Sequence, residues 1–171
     1  MDEEFLYEER VTSSRTTAVF VLLTLLSSLI YLNRRRSEKS DKLSALSLFF
    51  SLFFFIYTIN YRILIIRLLA SSFSLQFGLS SWRVPLENID FIKIDDLPLL
   101  QRIGGAGVHF MLVRHRYRAS FNFLEYPRLV IGFKEKVGPV QDLSFSTRHP
   151  DEWITLLSKV LDAHQAAQRP T

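Results

Sequence analysis

Residues 33–42, NRRRSEKSDK, separate two segments that contain no charged residue, and this arrangement decides how the chain is organised. The ten residues carry five of the 21 lysines and arginines of the chain. Residues 16–32, TTAVFVLLTLLSSLIYL, precede them with 17 uncharged residues, and residues 43–61, LSALSLFFSLFFFIYTINY, follow them with 19. The pattern predicts a helical hairpin that crosses a membrane twice.

The lengths of the two uncharged segments suit a bilayer. A helix of 17 residues extends about 26 Å, close to a hydrocarbon core of roughly 30 Å. The second segment contains five Phe, and its apolar side chains lie on every side of a helical wheel, as contact with lipid requires. The alternative is a pair of core helices in a soluble protein, which leaves too little remaining chain to cover them. We predict helices over about 16–32 and 43–61, joined by the basic loop 33–42.

The basic loop also predicts the orientation of the hairpin, because Arg and Lys in short loops remain in the cytoplasm. The residues expected to determine the topology are Arg34, Arg35, Arg36, Lys39 and Lys42. The flanks of the hairpin offer fewer cations, namely Arg10, Arg15, Arg62 and Arg67. By this count the loop is cytoplasmic, and both termini and the β-domain lie outside the cytoplasm. The opposite orientation stays open, because Arg62 and Arg67 would also suit a cytoplasmic domain.

The first 15 residues, MDEEFLYEERVTSSR, have a formal charge of −3 and no sustained periodicity. We predict an exposed acidic tail over residues 1–15, with one or two helical turns, and it lacks the basic start of a secretory signal. The chain contains no cysteine, which excludes disulfides, thiolate metal sites and a cysteine nucleophile. The basic residues outside the loop are spread along the chain, unlike those of a nucleic-acid-binding tail.

After Tyr61 the apolar residues change from helical spacing to alternation. Residues 73–77, FSLQF, alternate apolar and polar side chains as a half-buried strand does. The other predicted strands are 81–84, 89–94, 108–114, 116–121, 128–133 and 141–146. Seven short strands at this spacing predict a small barrel or sandwich.

A last helix is predicted over about residues 150–165. Pro150 suits the first helical position, and Asp151 and Glu152 place negative charge in the first turn. Apolar residues then fall on one face of the helix: Trp153, Leu156, Leu157, Val160 and Leu161. This helix should cap the β-domain, which we assign to residues 62–165, and residues 166–171 should form a polar tail.

Four motifs follow the hairpin in order: Phe77-Gly78-Leu79, Val84-Pro85-Leu86-Glu87-Asn88-Ile89, Gly104-Gly105-Ala106-Gly107-Val108 and Phe145-Ser146-Thr147-Arg148-His149-Pro150-Asp151-Glu152. Together they resemble bacterial and archaeal pleckstrin-homology-like (PH-like) domains, many of which follow transmembrane helices in small membrane proteins. The resemblance covers roughly residues 62–163. It implies a seven-stranded, two-sheet β-barrel closed at one end by the C-terminal helix.

The sequence differs from eukaryotic lipid-binding PH domains in one place. Those domains carry several Lys and Arg around their first hairpin, whereas the corresponding link here is Ala70-Ser71-Ser72. We therefore do not expect a phosphoinositide pocket. Physical chemistry also gives the motifs structural roles, since Gly78 suits a positive φ at a strand end and Pro85 suits a strand exit.

Alternating arginines are the best candidates for contact with an anionic surface. Arg114, Arg116 and Arg118 would project from one face of a strand and meet phosphate or carboxylate groups. If the domain lies close to the bilayer, the patch would extend toward lipid headgroups through Arg62, Arg67 and Arg102. The alternative is a solvated strand face, or a sheet edge protected by charge.

No pattern in the sequence indicates catalysis, a metal site or a cofactor. The glycines after Arg102 lack the Lys-Ser/Thr and the helix that complete a phosphate-binding loop. The four histidines lack metal-ligand spacing, and Asp95-Asp96 precedes Leu97-Pro98 as in a turn. We therefore predict a protein that is not an enzyme.

The sequence thus predicts an α+β membrane protein that acts as a membrane-anchored PH-like interaction module. Its expected partners are the lipid bilayer, an anionic lipid, a protein or peptide, or a second copy of the chain, and nucleic acid is not expected. The barrel edges and the groove beside the last helix are the predicted contact surfaces. A second hypothesis is a small subunit of a membrane transport or envelope complex. Its helices would pack against partner subunits through Ser27, Ser28, Ser44, Ser47 and Ser51.

Overall fold

The helical hairpin is inserted between two paired strands of a β-domain. The computed structural model describes residues 5–37, 42–97 and 106–168. Strand β1 (Phe5–Thr12) leads into helix α1 (Ser14–Arg36), and helix α2 (Lys42–Asn60) leads into strand β2 (Ile63–Leu69). β1 and β2 pair in antiparallel register, with Thr12 opposite Ile63 at the base of the hairpin. The hairpin therefore begins and ends at neighbouring strands of one sheet.

Both helices are long enough and apolar enough to cross a membrane. At about 1.5 Å per residue, α1 extends about 34 Å and α2 about 28 Å. Helix α1 begins where the Ser13 hydroxyl accepts a hydrogen bond from the Thr16 N–H at 2.9 Å, a standard N-cap. The most apolar stretch of α1 is only 6% buried inside the protein, and that of α2 only 11%. A helix in the core of a soluble domain buries far more of its apolar surface.

The prediction of an acidic tail over residues 1–15 is wrong for Phe5–Thr12, which forms a strand. Glu9 and Val11 are buried on one face of β1, and Glu8 and Arg10 are exposed on the other. Two features of the sequence explain why this strand was not predicted. Its inward face carries a glutamate, and its partner β2 lies beyond both helices.

Two sheets enclose the apolar core. The first has the order β1-β2-β3-β4, with β3 at Ser72–Phe77 and β4 at Ser80–Pro85. A short 3-10 helix, Leu86–Asn88, connects β4 to the second sheet, which has the order β5-β8-β9-β7-β6. Its strands are β5 (Ile89–Ile94), β6 (Gly107–Val113), β7 (Arg116–Asn122), β8 (Arg128–Val137) and β9 (Val140–Ser146). β7 and β9 pair in parallel, and the other neighbouring strands pair in antiparallel.

The described residues form nine strands, so the expectation of a seven-stranded barrel is wrong. The seven predicted strands correspond to β3 to β9, and the two that were missed, β1 and β2, flank the hairpin. The sequence of β2, ILIIRLL, is a nearly continuous apolar run, which lacks the alternation that marks a half-buried strand. No strand was therefore predicted there.

Helix α3 (Pro150–Gln168) packs against the core as predicted. Trp153, Leu157 and Leu161 are buried among apolar side chains, and Leu156 and Val160 pack against the same cluster. The predicted apolar face of the helix is therefore confirmed. Full burial of one large apolar side chain contributes roughly 1.5–3 kcal/mol, so this face fixes α3 firmly.

A buried glutamate ties β1 to the segment that precedes α3. Glu9 is 7% exposed, and its carboxylate accepts three hydrogen bonds. The donors are the Thr147 hydroxyl at 2.6 Å, the Arg148 backbone N–H at 2.9 Å and the Trp153 indole N–H at 2.5 Å. Two of these donors belong to the motif FSTRHPDE. In this chain the motif therefore holds the strand that leads into the hairpin.

A row of aromatic rings connects the hairpin with the core. Centroids are separated by 4.7 Å between Phe20 and Tyr57, 4.1 Å between Tyr57 and Tyr61, and 5.1 Å between Tyr61 and Phe77. Phe123 continues the row at 5.0 Å from Phe77. Ring pairs at such distances contribute about 0.5–1.5 kcal/mol beyond area burial. The base of the hairpin and the β-domain therefore pack as one unit.

We expect Glu9→Ala to lower the free energy of unfolding by about 3 kcal/mol or more, since each buried donor without an acceptor costs about 1–3 kcal/mol. Glu8→Ala is the matched control, because the neighbouring Glu8 forms exposed ion pairs that contribute little. Urea unfolding of the full chain in detergent micelles, followed by tryptophan fluorescence, measures both. Equal effects would contradict the assigned role of Glu9.

Candidate functional site

The arginines predicted to form one anion-binding face are placed in three different environments. Arg114 lies with His115 in the turn between β6 and β7, where both residues have positive φ values of 48° and 67°. Arg116 and Arg118 share one face of β7, as alternation predicts. The Arg116 side chain is 40% exposed, whereas that of Arg118 is only 7% exposed.

Two buried aspartates neutralise the arginines of β7. The carboxylate of Asp142 lies 2.7 Å from the Arg116 guanidinium and 3.6 Å from that of Arg118. Asp95 lies 3.1 Å from the other terminal nitrogen of Arg118. Both aspartates are 2% exposed, and the hydrogen bond to Asp142 raises the pKa of Arg116. The cluster of two cations and two anions has no net charge with which to attract a phosphate.

The remaining predicted contacts do not join this cluster. Arg114 donates a hydrogen bond to Asp96 at 3.1 Å, and this bond holds the pKa of the Asp96 carboxyl below its usual range. Arg67 donates to Glu8 at 2.7 Å, and together with Arg10 it lowers the pKa of Glu8. Arg62 is exposed beside the end of α2. Arg102 lies outside the described residues.

Asp95-Asp96 was predicted to form a turn with Leu97-Pro98, and this prediction missed the role of Asp95 in an ion pair. Asp95 accepts from Arg118, which lies 23 positions further along the chain, and its backbone N–H donates to the Arg128 carbonyl at 2.9 Å. Asp142 pairs with Arg118 because β7 and β9 run parallel with these two residues in register. Asp95 and Asp142 are both distant from Arg118 in sequence, so no local motif indicated the network.

We expect Arg118→Gln to lower the free energy of unfolding by about 3–5 kcal/mol, because it leaves buried carboxylates without their cation. Arg114→Gln removes the same charge from an exposed pair and should leave the stability nearly unchanged. Urea titrations of the two variants and of the unaltered chain in the same detergent provide the comparison. Similar midpoints for both variants would show that the buried network is not required.

The cations predicted to set the topology were expected in a loop over residues 33–42, but four of them lie within the ends of the helices, which extend further than predicted. Arg34, Arg35 and Arg36 form the last turn of α1, and Lys42 is the first residue of α2. Lys39 lies outside the described residues. Arg35 donates a hydrogen bond to the Tyr31 hydroxyl at 2.7 Å, and positive charge at a helix C-terminus is favourable for the helix dipole.

The serines predicted to contact partner subunits take part in packing within the hairpin. Ser28 of α1 and Ser51 of α2 share a hydrogen bond of 2.6 Å across the two helices. Ser44 and Ser47 lie on the same face of α2 as Ser51 and are 8% and 6% exposed. Ser27 is half-buried. Small residues let the two helices approach closely, and the outward helix faces carry Leu, Ile and Phe instead.

The histidines and acidic residues of the described ranges lie at separate places in the fold. No three His, Asp or Glu side chains in these ranges lie close enough together to hold a metal ion. His109 lies on β6, as predicted, and burial lowers the pKa of its imidazole. His149 directly precedes α3.

An exposed aromatic cluster lies where the edges of the two sheets meet. In the described residues, β4 pairs only with β3, and β6 pairs only with β7, so each is an edge strand. Phe110 of β6 lies 6.4 Å from the Trp82 ring of β4 and stacks on Tyr117 of β7 at 6.0 Å. Phe110 is 51% exposed, Leu112 69% and Tyr117 37%. We call Trp82, Phe110, Leu112 and Tyr117 the edge cluster.

The sequence did not reveal the edge cluster as a surface. Val108, Phe110 and Leu112 alternate along β6, a pattern that normally indicates the core face of a strand. Their exposure depends on the sheet order, which leaves β6 at an edge. Large patches of exposed apolar side chains mark sites of interaction, which makes the edge cluster a candidate site.

The predicted groove beside the last helix is also present. A cavity of about 460 Å³ is lined by Ser71, Ser72, Arg83, Pro85, Glu87 and His164. Its walls combine hydroxyl groups, a cation and a carboxylate, and the imidazole of His164 lies 3.3 Å from the Ala70 carbonyl oxygen. The exposed apolar side chains of the edge cluster make it the stronger candidate site.

Comparisons of the chain with protein-family models, with curated proteins and with solved structures find no match.

Proposed function

We propose that this protein is a membrane-anchored interaction module without enzymatic activity, and that the edge cluster binds an extended segment of a protein partner. The observation that carries the proposal is the group of exposed side chains formed by Phe110 and Leu112 of the edge strand β6 and Tyr117 of the neighbouring β7. The hairpin holds this surface at the membrane, and the aromatic row from Phe20 to Phe123 transmits that anchoring to the domain.

Membrane insertion is supported by the low burial of both helices and by the topology at their base. The pairing of Thr12 with Ile63 keeps the two ends of the hairpin together, as two passes through a bilayer require. Tyr57 and Tyr61 lie at the end of α2, where amphipathic rings favour the membrane interface. Phe49 and Ile56 are among the side chains exposed along α2, where they would contact lipid.

The edge cluster suits an extended segment for two reasons. No strand of the described ranges pairs with the outer side of β4 or β6, and such a side presents rows of backbone N–H and C=O groups to which another strand can add. Aromatic side chains next to such an edge provide most of the binding energy in many interfaces, because they bury a large area with few rotatable bonds. Backbone pairing and aromatic contact would therefore act together.

We further propose that the β-domain is PH-like. Support comes from its two sheets, its C-terminal helix and the positive φ of Gly78 in the motif Phe77-Gly78-Leu79. Pro85 ends β4, consistent with the strand exit suggested for the second motif. The additional strands β1 and β2 and the parallel pair β7 and β9 are departures from the seven-stranded barrel that the resemblance implies.

A photo-reactive phenylalanine analogue in place of Leu112 should give a discrete cross-linked product in native membranes. The Phe110→Asp substitution in the same chain should abolish that product, because it places a charge in the apolar contact. The matched control is the analogue at Lys159, an exposed position on α3. The mass of the product distinguishes a second copy of the chain from another protein.

Products from Lys159 as strong as those from Leu112, or none from Leu112, would contradict binding at the edge cluster. The analogue at Leu25, exposed on α1, tests the alternative function as a small subunit of a membrane transport or envelope complex. Products from Leu25 alone would favour that alternative.

The cation count predicts that the loop 33–42 is cytoplasmic and the β-domain outside. Because the chain has no cysteine, Ser37→Cys and Lys159→Cys each create a unique thiol at an exposed position. An impermeant maleimide applied to intact cells should label the thiol at position 159 and not that at position 37, and both after permeabilisation. Labelling of position 37 alone in intact cells would place the β-domain in the cytoplasm.

A further inference from the structure

Two loops of the β-domain present leucines to solvent beside the ends of the hairpin. Leu79, in the turn between β3 and β4, is 91% exposed, and no large apolar side chain in the described ranges is more exposed. Leu124, between β7 and β8, is 49% exposed. Exposed single leucines are common on protein surfaces, so their position decides whether these two have a role.

Leu79 lies at the C-terminal end of α2. Its backbone N–H donates to the Asn60 side-chain oxygen at 3.4 Å, and Asn60 is the last residue of the helix. Gly78 has a φ of 57°, and a Cβ at this position would collide with the Asn60 carbonyl. The turn therefore packs directly against the helix end, and the Leu79 side chain projects from it.

Leu124 lies beside the N-terminal end of α1. The next residue, Glu125, forms an ion pair of 3.7 Å with Arg15, the second residue of that helix. Tyr126 donates a hydrogen bond to the Thr12 carbonyl at 2.9 Å, directly before the helix. These contacts hold the loop at the junction of β1 and α1.

Two arginines also lie at the ends of the hairpin, beside the loops that carry the two leucines. Arg62 follows α2 and is exposed, and the Arg15 side chain is 84% exposed. Apolar side chains next to flexible cations are typical of surfaces that lie in the bilayer interface, where the leucines reach the acyl chains and the cations meet phosphates. If the hairpin spans the membrane, its two ends fix these loops at the interface.

We propose that Leu79 and Leu124 insert into the bilayer leaflet at which the hairpin ends, so that the β-domain rests on the phospholipid surface. The inference depends on the membrane anchoring proposed above and adds a second contact with lipid. The bilayer then holds the domain by two helices and two loop tips. Rotation of the domain about the hairpin is restricted, and the edge cluster keeps a fixed orientation relative to the membrane.

Site-specific fluorescence in vesicles tests this inference. Single-cysteine variants Leu79→Cys and Leu124→Cys of the full chain are labelled with an environment-sensitive fluorophore and reconstituted in phosphatidylcholine vesicles. A fraction of the lipid carries a nitroxide near the headgroup end of the acyl chain. Phe53→Cys, in the middle of α2, reports on the hairpin, and Leu112→Cys is the control for an exposed leucine elsewhere on the domain.

We expect the nitroxide lipid to quench the fluorophores at positions 79 and 124 strongly and the one at position 112 weakly, with emission blue-shifted at the first two positions. The label at Phe53 should be blue-shifted as well. If Phe53 reports lipid but positions 79 and 124 do not, the loop contacts are wrong and the anchoring stands. If position 112 is quenched as strongly as 79 and 124, the assigned orientation is wrong. A Phe53 label that remains in water would overturn both the anchoring and the inference.

Discussion

The pairing of β1 with β2 across the hairpin is the constraint on which the rest of the structure depends. Neighbouring strands lie about 4.8 Å apart, whereas packed helices lie about 8–10 Å apart. The short junctions at Ser13 and at Tyr61-Arg62 take up this difference. Glu9 then holds β1 from the other side, because its carboxylate binds donors next to α3. The first strand, the hairpin and the last helix are thus linked through one residue.

The sequence was sufficient to predict the helices and the strands from β3 onward, because their apolar spacing is a local property. It was not sufficient for β1, since the stability of EERVT as a strand comes from donors more than 130 positions away along the chain. The same limit explains the arginines. Alternation correctly placed Arg116 and Arg118 on one face of β7, but the presence of Asp95 and Asp142 beside them depends on strand order.

The edge cluster was missed for a different reason, since its residues have a local pattern that indicates burial although they are exposed. Phe110 and Leu112 look like core residues because apolar alternation carries no information on whether a second sheet covers that face. Among the described strands the first sheet ends at β4, and the Trp82 ring of that strand lies 6.4 Å from the Phe110 ring. Whether Phe110 and Leu112 are exposed therefore depends on whether the facing sheet has enough strands to cover β6. A candidate binding surface of this kind emerges only when both sheets are placed.

The insertion of the hairpin after β1 has a consequence for biosynthesis. A ribosome completes β1 before either helix, yet β2 emerges only after both helices have been made. The β-domain therefore cannot finish folding until the hairpin is complete, and Glu9 has no acceptor role until Thr147 and Trp153 arrive at the end of synthesis. If the hairpin inserts into a membrane, β1 has to remain unpaired on the side of the membrane where β2 and the later strands will emerge. A translocation error at either helix would separate β1 from its partner, leaving the open edge of β2 as a signal for degradation or aggregation.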